Sequence, residues 1–131
     1  MSTTPDDLVR QFIGAIEQLD LDRALELFSA DCTYDNVPIG VVVGPEAVRS
    51  TLGPFIAGYD EVQWVVRHQV SHGTLDDGVV MHERLDRFRK GDEWHELPVA
   101  GVIEIHGGLI TLWRDYFDRD TLFRLLDGSI T

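Results

Sequence analysis

The sequence predicts an α+β fold, in which a curved, mixed, mostly antiparallel β-sheet carries N-terminal helices on its concave face. Apolar residues recur every three or four positions in the first part of the chain and every two positions after Glu61, so helices precede long strands. Tight glycine-containing turns separate those strands, which favours antiparallel neighbours. A curled sheet covered by helices forms a cone, and a cone of this size can hold a small-molecule pocket.

The composition is that of one acidic globular domain, predicted to span residues 1–131. The chain has 11 Lys and Arg against 23 Asp and Glu, a formal net charge of −12. Such a surface repels phosphate backbones and anionic lipid, so we expect neither a nucleic acid nor a membrane as partner. The polar segment Met1–Asp7 does not resemble a signal peptide, and a single cysteine, Cys32, fits a reducing, cytoplasmic location.

Three helices are predicted before the long strands. Thr4 and Pro5 are typical of a helix start, and Asp20 is predicted to cap a second short helix. A third helix is expected to begin at Gly44–Glu46 and to reach Leu52 or Ile56, with Pro54 interrupting it. The apolar stripes of the first two helices are Leu8, Phe12, Ala15, Ile16 and Leu19, and Leu21, Ala24, Leu25 and Phe28.

Alternating segments predict the strands. A short strand is expected over Cys32–Pro38, and a bulge or bend is expected near Pro98–Gly101, because proline cannot donate to a ladder. Asp118 is predicted to cap a short C-terminal helix. The long strands are Glu61–Ser71, Val79–Lys90, Glu93–His106 and Leu109–Phe117, and one face of the first of these is predicted to carry Val62, Trp64, Val66, His68 and Val70.

The strand Val79–Lys90 carries an ion pair on an otherwise apolar face. Arg84 and Asp86 share that face with Val80, His82 and Phe88. If this face is buried, the pair costs several kcal/mol per ion unless it is hydrogen-bonded. The alternative is a solvated sheet face, since several further charges lie nearby.

A second set of polar residues has the same ambiguity. Asp115 lies between Trp113 and Phe117 on one strand face, which predicts either a desolvated carboxylate with a raised pKa or a rim residue paired with a neighbouring arginine. Tyr34 and Asn36 also share a strand face, where such residues usually satisfy the backbone. The five histidines show no metal-ligand spacing, and phosphate loops and a nucleophile elbow are absent from the sequence.

Three pieces of the chain together resemble the limonene-1,2-epoxide hydrolase family of the nuclear-transport-factor-2-like (SnoaL-like) superfamily. They are Tyr34-Asp35-Asn36 followed by a proline, Glu83-Arg84-Leu85-Asp86, and Trp113-Arg114-Asp115-Tyr116-Phe117-Asp118. Each of the first two is a weak signal and the third is moderately specific. The resemblance covers nearly the whole chain and implies a cone-shaped, cystatin-like fold.

The resemblance also implies a mechanism without metal, cofactor or covalent intermediate. Asp115 would be the general base that deprotonates a water held by Tyr34 and Asn36. Asp86 would be the general acid that protonates the epoxide oxygen, with Arg84 bridging the carboxylates. Two neighbouring buried carboxylates disfavour double ionisation, so the pair would keep one proton between them.

The substrate wall is predicted from residues that share the inward face. It comprises Phe88, Leu97, Val99, Trp113 and Phe117, with Leu52, Phe55 and Ile56 as a possible lid. The substrate would be a small apolar epoxide, limonene-1,2-epoxide-like, and the family resemblance suggests a homodimer through the outer sheet face. His82 departs from the resemblance, because a smaller polar residue is expected there.

Two other functions are compatible with this sequence. One is a ketosteroid-isomerase-like or polyketide-cyclase-like enzyme, which uses one aspartate to move a proton next to a carbonyl. Such sites usually provide an oxyanion hole of neutral donors, and Arg84 and Asp86 would occupy that place. The other is a non-catalytic small-molecule-binding module in which the charged residues form a structural network.

Overall fold

The computed structural model describes residues 3–127 as four helices and six strands. No helix in that range is both long and apolar enough to cross a bilayer. In chain order, the elements are α1 (Pro5–Glu17), α2 (Leu21–Leu25), β1 (Phe28–Asn36), β2 (Gly40–Val43), α3 (Pro45–Ala57), β3 (Glu61–Gly73), β4 (Asp77–Lys90), β5 (Glu93–His106), β6 (Leu109–Phe117) and α4 (Arg119–Asp127).

The strands form one open sheet in the order β2-β1-β6-β5-β4-β3. Every adjacent pair is antiparallel except β1 and β6, which run parallel. The predicted mixed, mostly antiparallel sheet with helices against it is therefore confirmed. The parallel pair places Tyr34 beside Trp113 and Asn36 beside Asp115, which brings two distant parts of the sequence onto neighbouring strands.

The helices begin where the sequence predicts. The Thr4 hydroxyl accepts from the Asp7 N–H at 3.2 Å, and Asp20 Oδ1 accepts from the Arg23 N–H at 3.1 Å, so each side chain satisfies an otherwise unpaired donor. Two stripe residues were assigned wrongly. Leu19 follows the end of α1 with φ +58° and is 43% exposed, and Phe28 is the first residue of β1 rather than part of a helix.

A β-bulge divides β3 into two halves, and the residues that face inward are odd-numbered after the bulge but even-numbered before it. Val66 pairs with Arg84 and His68 pairs with Glu83, so Arg67 is the extra residue. A one-residue slip moves every later side chain to the other face. The alternation predicted that His68 and Val70 share the face of Trp64, and this is wrong. Gln69 takes the inward position opposite His82 instead.

The two prolines inside elements are tolerated for different reasons. α3 continues to Ala57 with Pro54 inside it, so this proline does not end the helix. Pro98 produces no bulge, because β4 and β5 pair without interruption from Glu93 to His106. The pairing of β5 with β6 starts only at Val99, so Pro98 lies just beyond that ladder, where its missing N–H costs little.

An aromatic cluster joins the helices to the sheet. The ring of Phe12 on α1 packs edge-on against Trp113, Phe28 and Trp64, with centroids 4.9, 5.4 and 6.1 Å away. These rings are nearly inaccessible to solvent. The cluster closes the inner end of the cone and leaves the space between α3, α4 and the sheet open.

Candidate active site

Four polar side chains lie in the interior between the sheet and the helices. His82, Arg84, Asp86 and Asp115 are 6, 2, 3 and 3% exposed. On β4 the burial alternates strictly over these positions, so the inward face carries the charges and the outward face carries Glu83. The buried interpretation of the ion pair is therefore correct and the solvated one is wrong.

Arg84 uses all five of its N–H groups within this cluster. Its Nε and Nη2 donate to the two oxygens of Asp86 at 2.7 and 3.1 Å. Its Nη1 and Nη2 donate to Asp115 Oδ1 and Oδ2 at 3.0 and 2.7 Å. The fifth N–H, also on Nη1, points to His82 Nε2 at 3.0 Å. The guanidinium thus bridges two carboxylates and holds both in fixed orientations.

The surrounding aromatic residues complete this arrangement. Trp113 Nε1 donates to Asp115 Oδ1 at 2.9 Å, which gives that carboxylate a third donor. The guanidinium of Arg84 lies over the Trp64 ring, 4.3 Å from its centroid, in a cation–π contact. Charged groups this deeply buried need such contacts, because desolvation of each ion costs several kcal/mol.

The two aspartates are not equivalent. Burial raises the pKa of Asp86 to about 6, and the charge of Asp115 adds to this shift while Arg84 opposes it. For Arg84, burial opposes the charged form, but the two carboxylates outweigh it and raise the guanidinium pKa. With Asp86 protonated, the ion pair of Arg84 with Asp115 is formally neutral, which is the arrangement that a low-dielectric site favours.

Tyr34 and Asn36 extend the site from β1. Tyr34 is 5% exposed and its ring stacks on Trp113 with centroids 4.2 Å apart and planes inclined by 14°. Burial and then the charge of Asp115 raise the phenol pKa, although a hydrogen bond with the Asn36 side chain opposes this shift. The phenol is therefore a neutral hydroxyl at physiological pH, beside the carboxylate of Asp115.

A cavity of about 420 Å³ opens above these groups. Arg84, both aspartates, Tyr34 and Asn36 line its polar end, so the structure brings together all five polar residues that the sequence singled out. The remaining lining is largely apolar, a combination typical of small-molecule sites. It consists of Ile39, Thr51, Leu52, Pro54, Phe55, Trp64, Phe88, Leu97, Val99, Phe117, Leu122 and Leu126.

Two of the predicted wall and lid residues lie elsewhere. Trp113 does not line the cavity, because it is 1% exposed and packs behind Tyr34 and Asp115, where it orients the carboxylate. Ile56 faces the core at 5% exposure, whereas Leu52 and Phe55 of the same helix face the cavity. Their spacing of three residues is the helical repeat that brings two side chains to one face.

Sequence reasoning missed two side chains that reach the cluster from β3, namely Trp64, which lies against Arg84, and Gln69. Gln69 Oε1 lies 3.1 Å from His82 Nδ1. The bulge at Arg67 turns Gln69 inward. The alternating pattern of the sequence did not predict that bulge. Among residues 3–127, no group of three or more His, Cys, Asp or Glu is arranged to hold a metal ion.

Comparisons with known proteins match nearly the whole chain. A family model described as the limonene-1,2-epoxide hydrolase catalytic domain matches residues 3–127. Epoxide hydrolase EphG of Mycobacterium tuberculosis is 31% identical over 124 residues, which cover 93% of this chain and 79% of that protein. The solved structure of an M. tuberculosis epoxide hydrolase described as LEH-like superposes with a TM-score of 0.71 at 28% identity, covering 93% of this chain and 89% of that one.

The same fold also occurs in other proteins. A putative polyketide cyclase from Xanthomonas campestris superposes with a TM-score of 0.66, over 88% of this chain and 90% of that one, at 19% identity. At that identity the likeness concerns the fold alone, since one fold supports many activities.

Proposed function

We propose that this chain, which belongs to the limonene-1,2-epoxide hydrolase family and is an epoxide hydrolase, adds water to a small apolar epoxide in one step. The product is a vicinal diol, and the catalytic residues are Asp115, Arg84 and Asp86. One observation carries the proposal: a buried arginine bridges two carboxylates at the polar end of an apolar cavity. An epoxide seated there has an acid and a base within reach.

Asp115 is the general base. Its carboxylate, the amide of Asn36 and the hydroxyl of Tyr34 all line one corner of the cavity and together can hold one water molecule. Asp115 takes a proton from this water as the oxygen attacks an epoxide carbon. Asn36 lies beside Asp115 in the parallel ladder, so the backbone itself fixes their separation. Holding the water in an attacking geometry converts a bimolecular encounter into a step within one complex.

Asp86 is the general acid. As the epoxide carbon–oxygen bond breaks, Asp86 donates its proton to the oxygen that carries the developing charge. Asp115 ends the step protonated and Asp86 ionised, and exchange of one proton with solvent after product release restores the starting state. Arg84 offsets the negative charge of the pair throughout, because it bonds both carboxylates in a fixed fork.

The cavity wall sets the substrate class. Phe88, Leu97, Val99 and Phe117 line it beside the polar groups, with Leu52 and Phe55 of α3 opposite. These side chains offer few polar partners, so binding relies on burying apolar surface, at about 25 cal/mol per Å². The structure therefore favours a largely hydrocarbon epoxide, such as limonene-1,2-epoxide or cyclohexene oxide.

Turnover by the purified chain tests this proposal. We expect diol from limonene-1,2-epoxide and from cyclohexene oxide, measured by chiral gas chromatography, and no isomerisation of a Δ5-3-ketosteroid. The isomerase alternative requires free donors to form an oxyanion hole, and every N–H of Arg84 is already used. Isomerisation of the ketosteroid with no diol from any epoxide would contradict the proposal.

The pH dependence of kcat/KM reports the protonation of Asp86. Burial raises the pKa of Asp86 in the folded protein to about 6, above its ordinary value of 3.8. Because the folded protein binds this proton more tightly than the unfolded chain does, protonation of Asp86 stabilises the fold. This stabilisation is complete below about pH 4 and is lost as the pH rises through 6. The acid form is lost over the same range, so we expect kcat/KM to fall about tenfold per pH unit above pH 6. Circular dichroism at each pH serves as the control, and a flat profile from pH 6 to 8 would contradict the assignment.

We also propose that the chain forms a homodimer through the outer sheet face. That face exposes Val70, Met81 and Tyr116, which are 67, 52 and 47% accessible, and Val70 pairs with Met81 across β3 and β4. We expect light scattering to give about twice the chain mass of 14.8 kDa and Met81→Lys to give the chain mass. A wild-type monomer at micromolar concentration would exclude the dimer.

The cytoplasm is the proposed location. The chain has one cysteine, Cys32, and its thiol is buried and free. Burial raises the thiol pKa, which lowers its reactivity. A fold that relies on no disulfide within residues 3–127 is compatible with a reducing compartment.

A further inference from the structure

We propose that His82, Gln69 and Asp6 form a hydrogen-bond chain that positions Arg84 against the two aspartates, which makes His82 a positioning residue of this site. The inference rests on the proposed function and adds to it. None of these three side chains lines the cavity. They act on the reaction through Arg84, and so through the placement of both carboxylates.

The hydrogen-bond chain runs from β4 to β3 and ends on α1. Arg84 Nη1 lies 3.0 Å from His82 Nε2, and His82 Nδ1 lies 3.1 Å from Gln69 Oε1. Gln69 Nε2 donates to Asp6 Oδ1 at 3.1 Å, and the other oxygen of Asp6 accepts from the Ser71 hydroxyl at 3.0 Å. Asp6 lies in the first turn of α1, where the helix dipole favours a negative charge. The helix start is therefore tied to the buried guanidinium through two side chains.

The chemistry of the donors fixes the direction of every bond. Arg84 has only donors, so His82 Nε2 must be the unprotonated nitrogen that accepts. The remaining proton of a neutral imidazole then lies on Nδ1 and is donated to Gln69 Oε1, and the Gln69 amide group donates to Asp6. Four groups thus form one continuous series of donors and acceptors, and any other tautomer of His82 breaks it.

The environment of His82 keeps the ring neutral. Burial, followed by the charges of Arg84 and Arg10, lowers the pKa of His82 to about 3. The two nearby carboxylates, Asp86 on the same strand and Asp115 on β6, both form ion pairs with Arg84 rather than with His82. His82 therefore remains an acceptor over the range in which Asp86 exchanges its proton.

A glycine between the strands allows this arrangement. Gly101 on β5 pairs with His82 on one side and with Asp115 on the other. A Cβ at this position would lie 2.7 Å from His82 Nε2 and 3.0 Å from Asp115 Oδ1. Only a residue without a side chain lets the imidazole and the carboxylate approach across the strand, so that both contact Arg84 Nη1.

His82 satisfies the one N–H of Arg84 that neither carboxylate reaches. Without that acceptor, a buried donor is left unpaired, and a rotation of the guanidinium toward another acceptor distorts its four bonds to the two carboxylates. A rotation that moves a carboxylate by about 1 Å costs roughly a hundredfold in rate. Substrate contacts are unchanged, because His82 is outside the cavity wall.

Steady-state kinetics on cyclohexene oxide test the proposal. His82→Leu should lower kcat about a hundredfold with KM unchanged, while His82→Gln should restore most of the rate, because its amide oxygen can accept from Arg84. Gln69→Leu, which lies farther from the buried charges, should lower kcat about fivefold with KM unchanged. The matched control is His68→Leu, since His68 lies on the outer face with its side chain 84% exposed. Wild-type kcat in His82→Leu, or equal losses in His82→Leu and His82→Gln, would overturn the proposal.

A spectroscopic readout separates this proposal from the proposed function. Nitrogen-15 NMR should show His82 neutral with its proton on Nδ1 from pH 6 to 8, and Gln69→Leu should shift the Nδ1 resonance. A proton on Nε2, or a charged ring, would overturn the hydrogen-bond chain even if the wild-type chain hydrolyses epoxides. If His82→Leu does not fold, the Gln69→Leu kinetics and the NMR spectrum decide. If the wild-type protein hydrolyses no epoxide, the proposed function fails. The NMR result still decides whether the hydrogen-bond chain from Arg84 to Asp6 exists.

Discussion

Replacing Asp115 with asparagine is expected to lower kcat for epoxide hydrolysis by about 10⁴-fold, the upper end of what one general base contributes. An amide cannot take the proton from the attacking water. The cavity wall and Asp86 stay in place, so KM should change little. Asparagine keeps an oxygen for the two donors that bond Asp115 Oδ1, so only the Arg84 Nη2 bond to Oδ2 loses its acceptor. Arg84 is then balanced only by an ionised Asp86, which cannot act as the acid, and this adds to the loss of rate.

The chain offers a matched control for Asp115→Asn. Asp35 on β1 and Arg114, the residue before Asp115 on β6, form another Asp–Arg pair, with Arg114 Nε donating to Asp35 Oδ2 at 2.8 Å on the opposite face of the sheet. Asp35→Asn should keep the wild-type kcat. Full activity in Asp115→Asn would exclude the base assignment. A sharp fall in its melting temperature together with no epoxide turnover by the wild type would instead favour a structural network.

Replacing Asp86 with asparagine is expected to lower kcat about 10³-fold, because the epoxide oxygen must then leave without a proton from a carboxylic acid. The effect should be smaller than for Asp115, since the amide N–H can still donate a hydrogen bond to that oxygen. The fall of kcat/KM above pH 6 should disappear at the same time, because the group with the raised pKa is gone.

Glu83→Gln serves as the control for Asp86→Asn. Glu83 lies on the same strand, but its side chain faces outward and is 60% exposed. Its replacement should leave both the rate and the pH profile unchanged. A variant of Asp86 that loses activity but keeps the fall above pH 6 would show that another group supplies the proton.

Alternation along single strands predicted most of the site. It placed Arg84 with Asp86 on β4 and Asp115 beside Phe117 on β6, and the burial of the two strands confirms both. It did not decide whether those faces point inward, because a charged face is compatible with solvent as well as with a paired interior. The packing of α1 and α3 against the sheet decides that, and no single strand encodes it.

The remaining misses arise from contacts between strands. The bulge at Arg67 reverses the facing of Gln69, and strict alternation cannot detect an inserted residue. A bulge or bend was predicted near Pro98–Gly101, whereas β5 pairs regularly with β4 there and Gly101 instead allows the close approach of His82 and Asp115. Trp113 shares a strand face with Asp115, yet the ring of Tyr34 stacks on it from β1, so Trp113 lies behind the cavity rather than in its wall.

A single turnover in ¹⁸O-labelled water, with enzyme in excess over epoxide, tests most directly whether the two buried carboxylates act on water rather than on the substrate carbon. Mass spectrometry should find one ¹⁸O atom in the diol of that first turnover and none in the protein. An unlabelled first diol, with the label in the carboxylate of Asp115 or Asp86, would show attack by an aspartate through an ester and would contradict the proposed mechanism.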